Sequence, residues 1–171
     1  MSGVIEPMKK KFLVAAIQFK LYEIKTFQEF ENKVEDLLKK CSRENVELAV
    51  FPEYFSMLLV GLLPPVESDK EIFERIAGYN PQVIKLMSSL AVKYKLHIVA
   101  GSLPTLDPES KRLSNDSYLF SPTGFSTFQG KLNMTEYEKD SLDMVARDKL
   151  KIFQTSFGKL AIAICYDIEF P

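Results

Sequence analysis

The chain carries a single histidine, His97, and only two cysteines, Cys41 and Cys165, in 171 residues. One histidine leaves no His-rich metal centre, and triad or ligand histidines usually come with partners that this sequence lacks. His97 opens a strand rather than ending one and is read as structural. The two cysteines sit in unlike contexts, one in a polar helical segment and one behind an apolar run, so they offer no disulfide framework. A reducing, cytoplasmic setting is expected. An excess of either charge is also missing, with 22 basic against 23 acidic residues and a net charge of −1. Such a balance provides no long-range field to draw nucleic acid or an acidic membrane surface. No run approaches the roughly 18 apolar residues of a spanning helix. Residues 1–11 are charged, have no apolar signal region behind them, and read as a loose leader. Internal repeats, low-complexity tracts, linkers and a glycine-rich phosphate loop are absent too. No cofactor or metal is expected. The partner that remains is a small molecule.

What is present is apolar: 46% of the residues are hydrophobic, enough for one domain that buries roughly 70% of its unfolded surface. Strands are expected at Phe12–Phe19, which suits a central position, at Val46–Phe51 and at Leu96–Ser102, with helices between them. Thr26 is a plausible cap for a helix whose apolar positions Phe30, Val34, Leu37 and Leu38 recur at helical spacing up to about Ser42. Ser56–Pro65 is apolar but holds Gly61, Pro64 and Pro65, and is expected to be a loop lining a cleft or an interface rather than a simple helix. Helices are expected over Ser68–Ala77 and Asn80–Tyr94, the second with proline in its first turn. Leu103–Asp116, polar and proline-containing, reads as a surface hairpin excursion. Ser117–Phe120 and Phe125–Gln129 read as strands joined by Ser121-Pro-Thr-Gly124. Thr135–Arg147 is a polar helix or loop, followed by strands at Leu150–Thr155 and Leu160–Ile164. The last is five apolar residues long and is expected to be buried on both faces. The pattern is that of an α/β fold.

Three residues of reactive type follow strand-like runs. Glu53 comes after Phe51-Pro52, where proline forbids normal ladder pairing. Lys131 follows Gly130, and Cys165 follows Ile164. The ends of sheet strands on one side form the ligand crevice of α/β folds, so the three could converge there. A thiolate attacks electrophilic carbon, a carboxylate takes the thiol proton and later activates water, and an ammonium stabilises an oxyanion. The lysine could also lower the thiol pKa. Judged singly, Glu53 is equally a solvated loop charge, Lys131 a turn lysine and Cys165 a core thiol.

Together, Phe51-Pro52-Glu53-Tyr54, Gly130-Lys131-Leu132 and Ile164-Cys165-Tyr166-Asp167-Ile168-Glu169-Phe170-Pro171 resemble the three signature blocks of the nitrilase superfamily, the carbon–nitrogen hydrolases. The resemblance implies an αββα sandwich with Glu53 as general base, Lys131 as oxyanion stabiliser, Cys165 as nucleophile and the Tyr166 backbone N–H assisting the oxyanion. A second glutamate follows the lysine in this family; Glu138 is the choice here and Glu136 the reserve. Two departures are evident. The family usually has arginine where this chain has Glu169, and its domains continue beyond this block, so residues 1–171 are expected to be the N-terminal portion of one such domain, truncated after the nucleophile strand. The implied activity is hydrolysis of a small linear amide through a thioester, by a homodimer or larger homo-oligomer. The alternatives are transfer of the acyl group to an amine and a catalytically silent interaction domain. A depressed Cys165 pKa would favour catalysis, and an inert buried thiol the silent module. Residues 1–171 alone are expected to show little activity.

Overall fold

The structure, a computed structural model, describes residues 11–170. Residues 1–10 of the expected leader, and Pro171, lie outside the described residues. Strands β1 (Val14–Ala16), β2 (Leu48–Val50) and β3 (His97–Val99) run parallel in that order. Helix α1 (Phe27–Arg43) crosses from β1 to β2, and α2 (Asp69–Ala77) and α3 (Asn80–Tyr94) lie between β2 and β3. Then the sheet turns antiparallel: β5 (Leu113–Phe120) pairs β3, β4 (Leu103–Leu106) and β6 (Ser126–Gly130).

Local chemistry accounts for the helices. Thr26 Oγ1 accepts the Glu29 N–H at 3.3 Å, capping α1 as its Thr-x-x-Glu pattern implies. The buried residues of α1, Phe30, Val34, Leu38 and Cys41, lie three or four apart and so form one stripe. Ser68 caps α2 in the same way. Pro81 lies in the first turn of α3, where its missing N–H leaves no intrahelical bond unmade.

Alternation along the strands separates two apolar layers. Ala49, Ile98 and Phe120 face the helices and pack with Phe30, Val34, Met87 and Leu90. Leu48, Val99 and Leu119 face the other way, against Phe153, Phe157, Ile162 and Ile164. The second layer is begun by the hairpin β7 (Phe153–Thr155) and β8 (Gly158–Leu160). Helices, main sheet and a start of a second β layer are therefore stacked in that order, the α/β arrangement expected from the sequence.

Several expectations are corrected. Strand β1 is three residues long and pairs only β2 among the described residues, so it ends the sheet rather than centring it. Residues 103–116 do form a hairpin, of β4 and the first half of β5, but only its tip is at the surface and its arms belong to the main sheet. Their polar residues misled because Ser114, Asn115 and Asp116 are buried and hydrogen-bonded within the molecule, and Pro104 is tolerated because β4 pairs on one side only. Residues Phe55–Leu62 form a 3₁₀ helix that buries Phe55, Leu58 and Leu59, and Pro64 and Pro65 lie just beyond it. The polar stretch after Thr135 is helical only as α4 (Glu136–Asp140). Beyond β8 the run to Ile164 is not covered twice: Ile162 and Ile164 are buried while Ala161 and Ala163 are exposed.

Candidate active site

Strand ends deliver the site. Strand β2 gives way at Pro52, which has no N–H for the ladder, and Glu53 follows. The turn is seated on Gly101 (φ +45°), where an added Cβ would lie 1.8 Å from the Pro52 carbonyl oxygen, so only glycine permits this approach. The Tyr54 N–H donates to Ser102 Oγ at 3.3 Å, holding the loop to the same turn. Lys131 leaves β6 with its backbone pinned on both sides. Its N–H donates to the Asn115 carbonyl at 2.8 Å, and its carbonyl accepts the Arg147 N–H at 2.8 Å. Thr135 and Glu138 cap α4 reciprocally, and the Thr135 N–H donates to Glu138 Oε2 at 2.9 Å, which turns that carboxylate inward.

These residues meet in one cluster. Lys131 Nζ lies 3.0 Å from Glu53 Oε1 and 2.8 Å from Glu138 Oε2, with its side chain only 1% exposed. Asn115 Nδ2 donates to Glu53 Oε1 at 2.8 Å and Glu138 Oε1 at 3.0 Å, and the Tyr54 hydroxyl donates to Glu138 Oε1 at 2.6 Å. Glu136, the reserve, is exposed on the outer face of α4.

Burial alone would raise Glu138, but hydrogen bonds from Lys131, Tyr54, the Thr135 N–H and Asn115 outweigh it and hold the carboxyl at about 2. For Lys131, burial favours the neutral amine, yet the two carboxylates more than compensate and raise it above the ordinary lysine value. Burial and the neighbouring Glu138 push the Tyr54 phenol far up, so it serves as a fixed donor.

Cys165 begins a 3₁₀ turn, Cys165–Glu169, in a left-handed conformation (φ +49°). For a residue with a side chain such a conformation costs about 1–3 kcal/mol, and it is held only where the surroundings over-determine it. The thiol is exposed. Its pKa is raised, first by desolvation and then by the charge of Glu53 and a hydrogen bond to it; Lys131 and the Tyr166 N–H pull the other way without prevailing. Lys131 does lower the thiol pKa, as expected, but desolvation and Glu53 outweigh it and the net shift is upward. Lys131 is already matched by two carboxylates, and the cluster has no spare positive charge for a thiolate. The resting sulfur is a protonated, accessible thiol beside a carboxylate that can take its proton, neither the depressed nor the inert buried case.

A cavity of about 120 Å³ adjoins the cluster, lined by Val50, Val99, Ile162 and Ile164 together with Glu53, Ser117 and Cys165. It has room for about four waters at liquid density or a small acyl chain. The Ser117 hydroxyl is fully buried and has no hydrogen-bond partner among the described residues. Behind the cluster, Arg147 pairs with Asp107 at 2.7 Å and with buried Asp116 at 3.2 Å, bracing β5 against the segment that follows Lys131. His97 is buried against the Phe157 ring at 5.0 Å, lies outside the cluster and has its pKa lowered by desolvation. Among the described residues no group of three or more His, Cys, Asp or Glu side chains is arranged to hold a metal. No helix there is long and apolar enough to cross a membrane.

Asn115 and Tyr54 escape a reading of the sequence. Asn115 lies in a stretch whose polarity mimics a loop, and the bond made by Tyr54 depends on α4, distant in sequence. Glu138 did carry a local signal, the Thr135-x-x-Glu138 capping pattern.

Solved structures share this fold. Nit3 of Saccharomyces cerevisiae, a member of the nitrilase superfamily, superposes with a TM-score of 0.71 at 22% identity over 95% of this chain and 58% of that one. A cysteine-to-serine mutant of the Nesterenkonia AN1 amidase, from the same superfamily, superposes with a TM-score of 0.72 at 18% identity, over 93% and 58%. The fold is thus the α/β fold of the nitrilase superfamily. The carbon–nitrogen hydrolase family model matches residues 13–171, and the chain belongs to that family. Among curated relatives, a probable hydrolase of Bacillus subtilis, YhcX, is 37% identical over 158 residues, spanning 92% of this chain and 30% of the relative. The omega-amidase NIT2 of Danio rerio is 27% identical over 169 residues, spanning 94% and 56%. The chain spans between about a third and somewhat over half of these relatives' length.

Proposed function

We propose that the protein hydrolyses the carbon–nitrogen bond of a small linear amide, with Cys165 as nucleophile, Glu53 as general base and acid, and Lys131 with the Tyr166 N–H stabilising the oxyanion. The observation that carries this reading is the placement of an exposed thiol, in a strained turn at the end of an apolar run, beside a carboxylate that is itself fixed by Lys131 and Asn115. In the first step Cys165 Sγ bonds to the amide carbonyl carbon as its proton passes to Glu53. The oxyanion forms beside Lys131 and the Tyr166 N–H, where an aligned cation and dipole lower its energy most. Glu53 then gives the proton to the leaving nitrogen, the C–N bond breaks, and a thioester remains. Water attacks that thioester, Glu53 takes its proton, and collapse expels the sulfur, which recovers the proton as the acid leaves. Glu138, held as an anion, keeps Lys131 charged and in place. The relatives named as amidases agree with this class of substrate.

The test is acid quench of the complete protein during turnover of propionamide, followed by peptide mass spectrometry. Acyl mass on Cys165 is expected, with Glu53→Gln slowing turnover about 10²–10³-fold. Label on Cys41, or turnover unchanged in Cys165→Ala, would overturn the assignment.

A further inference from the structure

Asp167 is buried, 8% exposed, two residues after the thiol. Its two oxygens serve two separate segments. Oδ1 accepts from the Leu132 N–H at 3.0 Å, the Asn133 N–H at 2.7 Å and Asn133 Nδ2 at 3.3 Å, all directly after Lys131. Oδ2 accepts the Ile164 N–H at 3.1 Å, directly before Cys165. The Asp167 N–H closes the ring by donating to the Ile164 carbonyl at 3.1 Å. All of these partners are amide groups, and three of the four that donate to the carboxylate belong to the backbone.

We propose that Asp167 is a positioning residue that clamps the nucleophile turn to the lysine-bearing strand end, holding the Cys165 sulfur, the Tyr166 N–H and the Lys131 ammonium in one fixed arrangement. The inference rests on the function proposed above. Its geometric basis is independent of it. The ring from Ile164 to Asp167 encloses only Cys165 and Tyr166, so it fixes the left-handed turn that aims the sulfur and directs the Tyr166 N–H. The Oδ1 bonds tie that ring to the two residues after Lys131, a link that spans 35 and 34 positions of sequence. A carboxylate suits this position because both faces present donors. An asparagine offers one acceptor oxygen and one donating amide, and can therefore serve one segment but not both.

In Asp167→Asn the turn should come loose on one side. The expected result is a fall in kcat of about 10²-fold with KM retained within a few-fold, since a displacement of about 1 Å suffices for such a loss. The readout that a merely structural role would not move is the pH profile of Cys165 alkylation by iodoacetamide. Freed from Glu53, the thiol should titrate closer to the ordinary thiol value, so the profile should shift to lower pH. Buried Cys41 acts as the internal reference, and its continued protection shows that the variant is folded. If Asp167→Asn does not fold, Asp167→Glu, which keeps both acceptor oxygens on a longer arm, should show the same signature at smaller size. A folded variant of either kind with wild-type kcat and alkylation profile overturns the inference. If the complete wild-type protein and its Cys165→Ala variant are equally inactive on propionamide, the proposed function fails, while the alkylation profile still decides the role of Asp167.

Discussion

Glu138 shows how one side chain is assigned work by its neighbours. Its carboxyl is held at about 2 against an ordinary 4.5, so the native state binds its proton less readily than the unfolded chain does. The stability this contributes is present in full above 4.5 and is lost as pH falls from there through about 2. The size is up to about 3 kcal/mol, taken from the shift at 1.36 kcal/mol per unit. Urea unfolding midpoints followed from neutral pH down to about 2 should therefore fall more steeply for wild type than for Glu138→Gln, which has no such proton to gain. Equal slopes would mean that the hydrogen bonds from Lys131, Tyr54 and Asn115 do not favour the anion. Cys165 teaches the complementary lesson. Lys131 lowers the thiol pKa, yet with two carboxylates claiming its charge it does not offset burial and Glu53.

At the scale of elements, β5 and β6 matter most, because Asn115 lies on the first, Lys131 directly follows the second and Arg147 braces them from behind. Asp116 is 1% exposed and Arg147 is its cation. Removing one member of a buried pair leaves an uncompensated charge, which typically destabilises by about 3–5 kcal/mol. Arg147→Met, which retains much of the packing volume, is expected to lose stability in that range in urea titration. Asp116→Asn in the same chain should restore part of it, because the two residues are coupled. A loss below about 1 kcal/mol would show that the pair is solvated and that the brace is not what holds Lys131. The same region explains the principal misreading of the sequence. Ser114, Asn115 and Asp116 are polar and buried, and a buried polar strand cannot be told from a loop until the partners that satisfy it are known.

For the whole molecule, the β5–β6 turn, the segment before β7 and the final 3₁₀ turn leave apolar side chains at the surface. Phe125 is 64% exposed, Leu150 57%, Ile152 66% and Ile168 79%. Phe125 and Ile152 line a single recess. Exposed apolar area of this kind favours association, so residues 1–171 are expected to sediment as a concentration-dependent mixture larger than the monomer, and Ile152→Lys should shift it toward monomer. A monomer at every concentration would remove the basis for self-association. What the sequence determined by itself was whatever is encoded locally or by residue type: the capped helices α1 and α2, proline at the head of α3, the α/β alternation, and Glu53, Lys131 and Cys165 at the ends of strand-like runs. Tertiary structure alone decided that Glu53 and Glu138 share one lysine, that Asn115 joins two carboxylates and that Asp167 bridges the two loops. It also decided that the thiol rests protonated. The physical reason is that charge balance and hydrogen-bond satisfaction in a buried site depend on every group within a few ångströms, and here those groups come from β5, the end of β6, α4 and the loop after β2, distant in sequence and adjacent only once the sheet has formed.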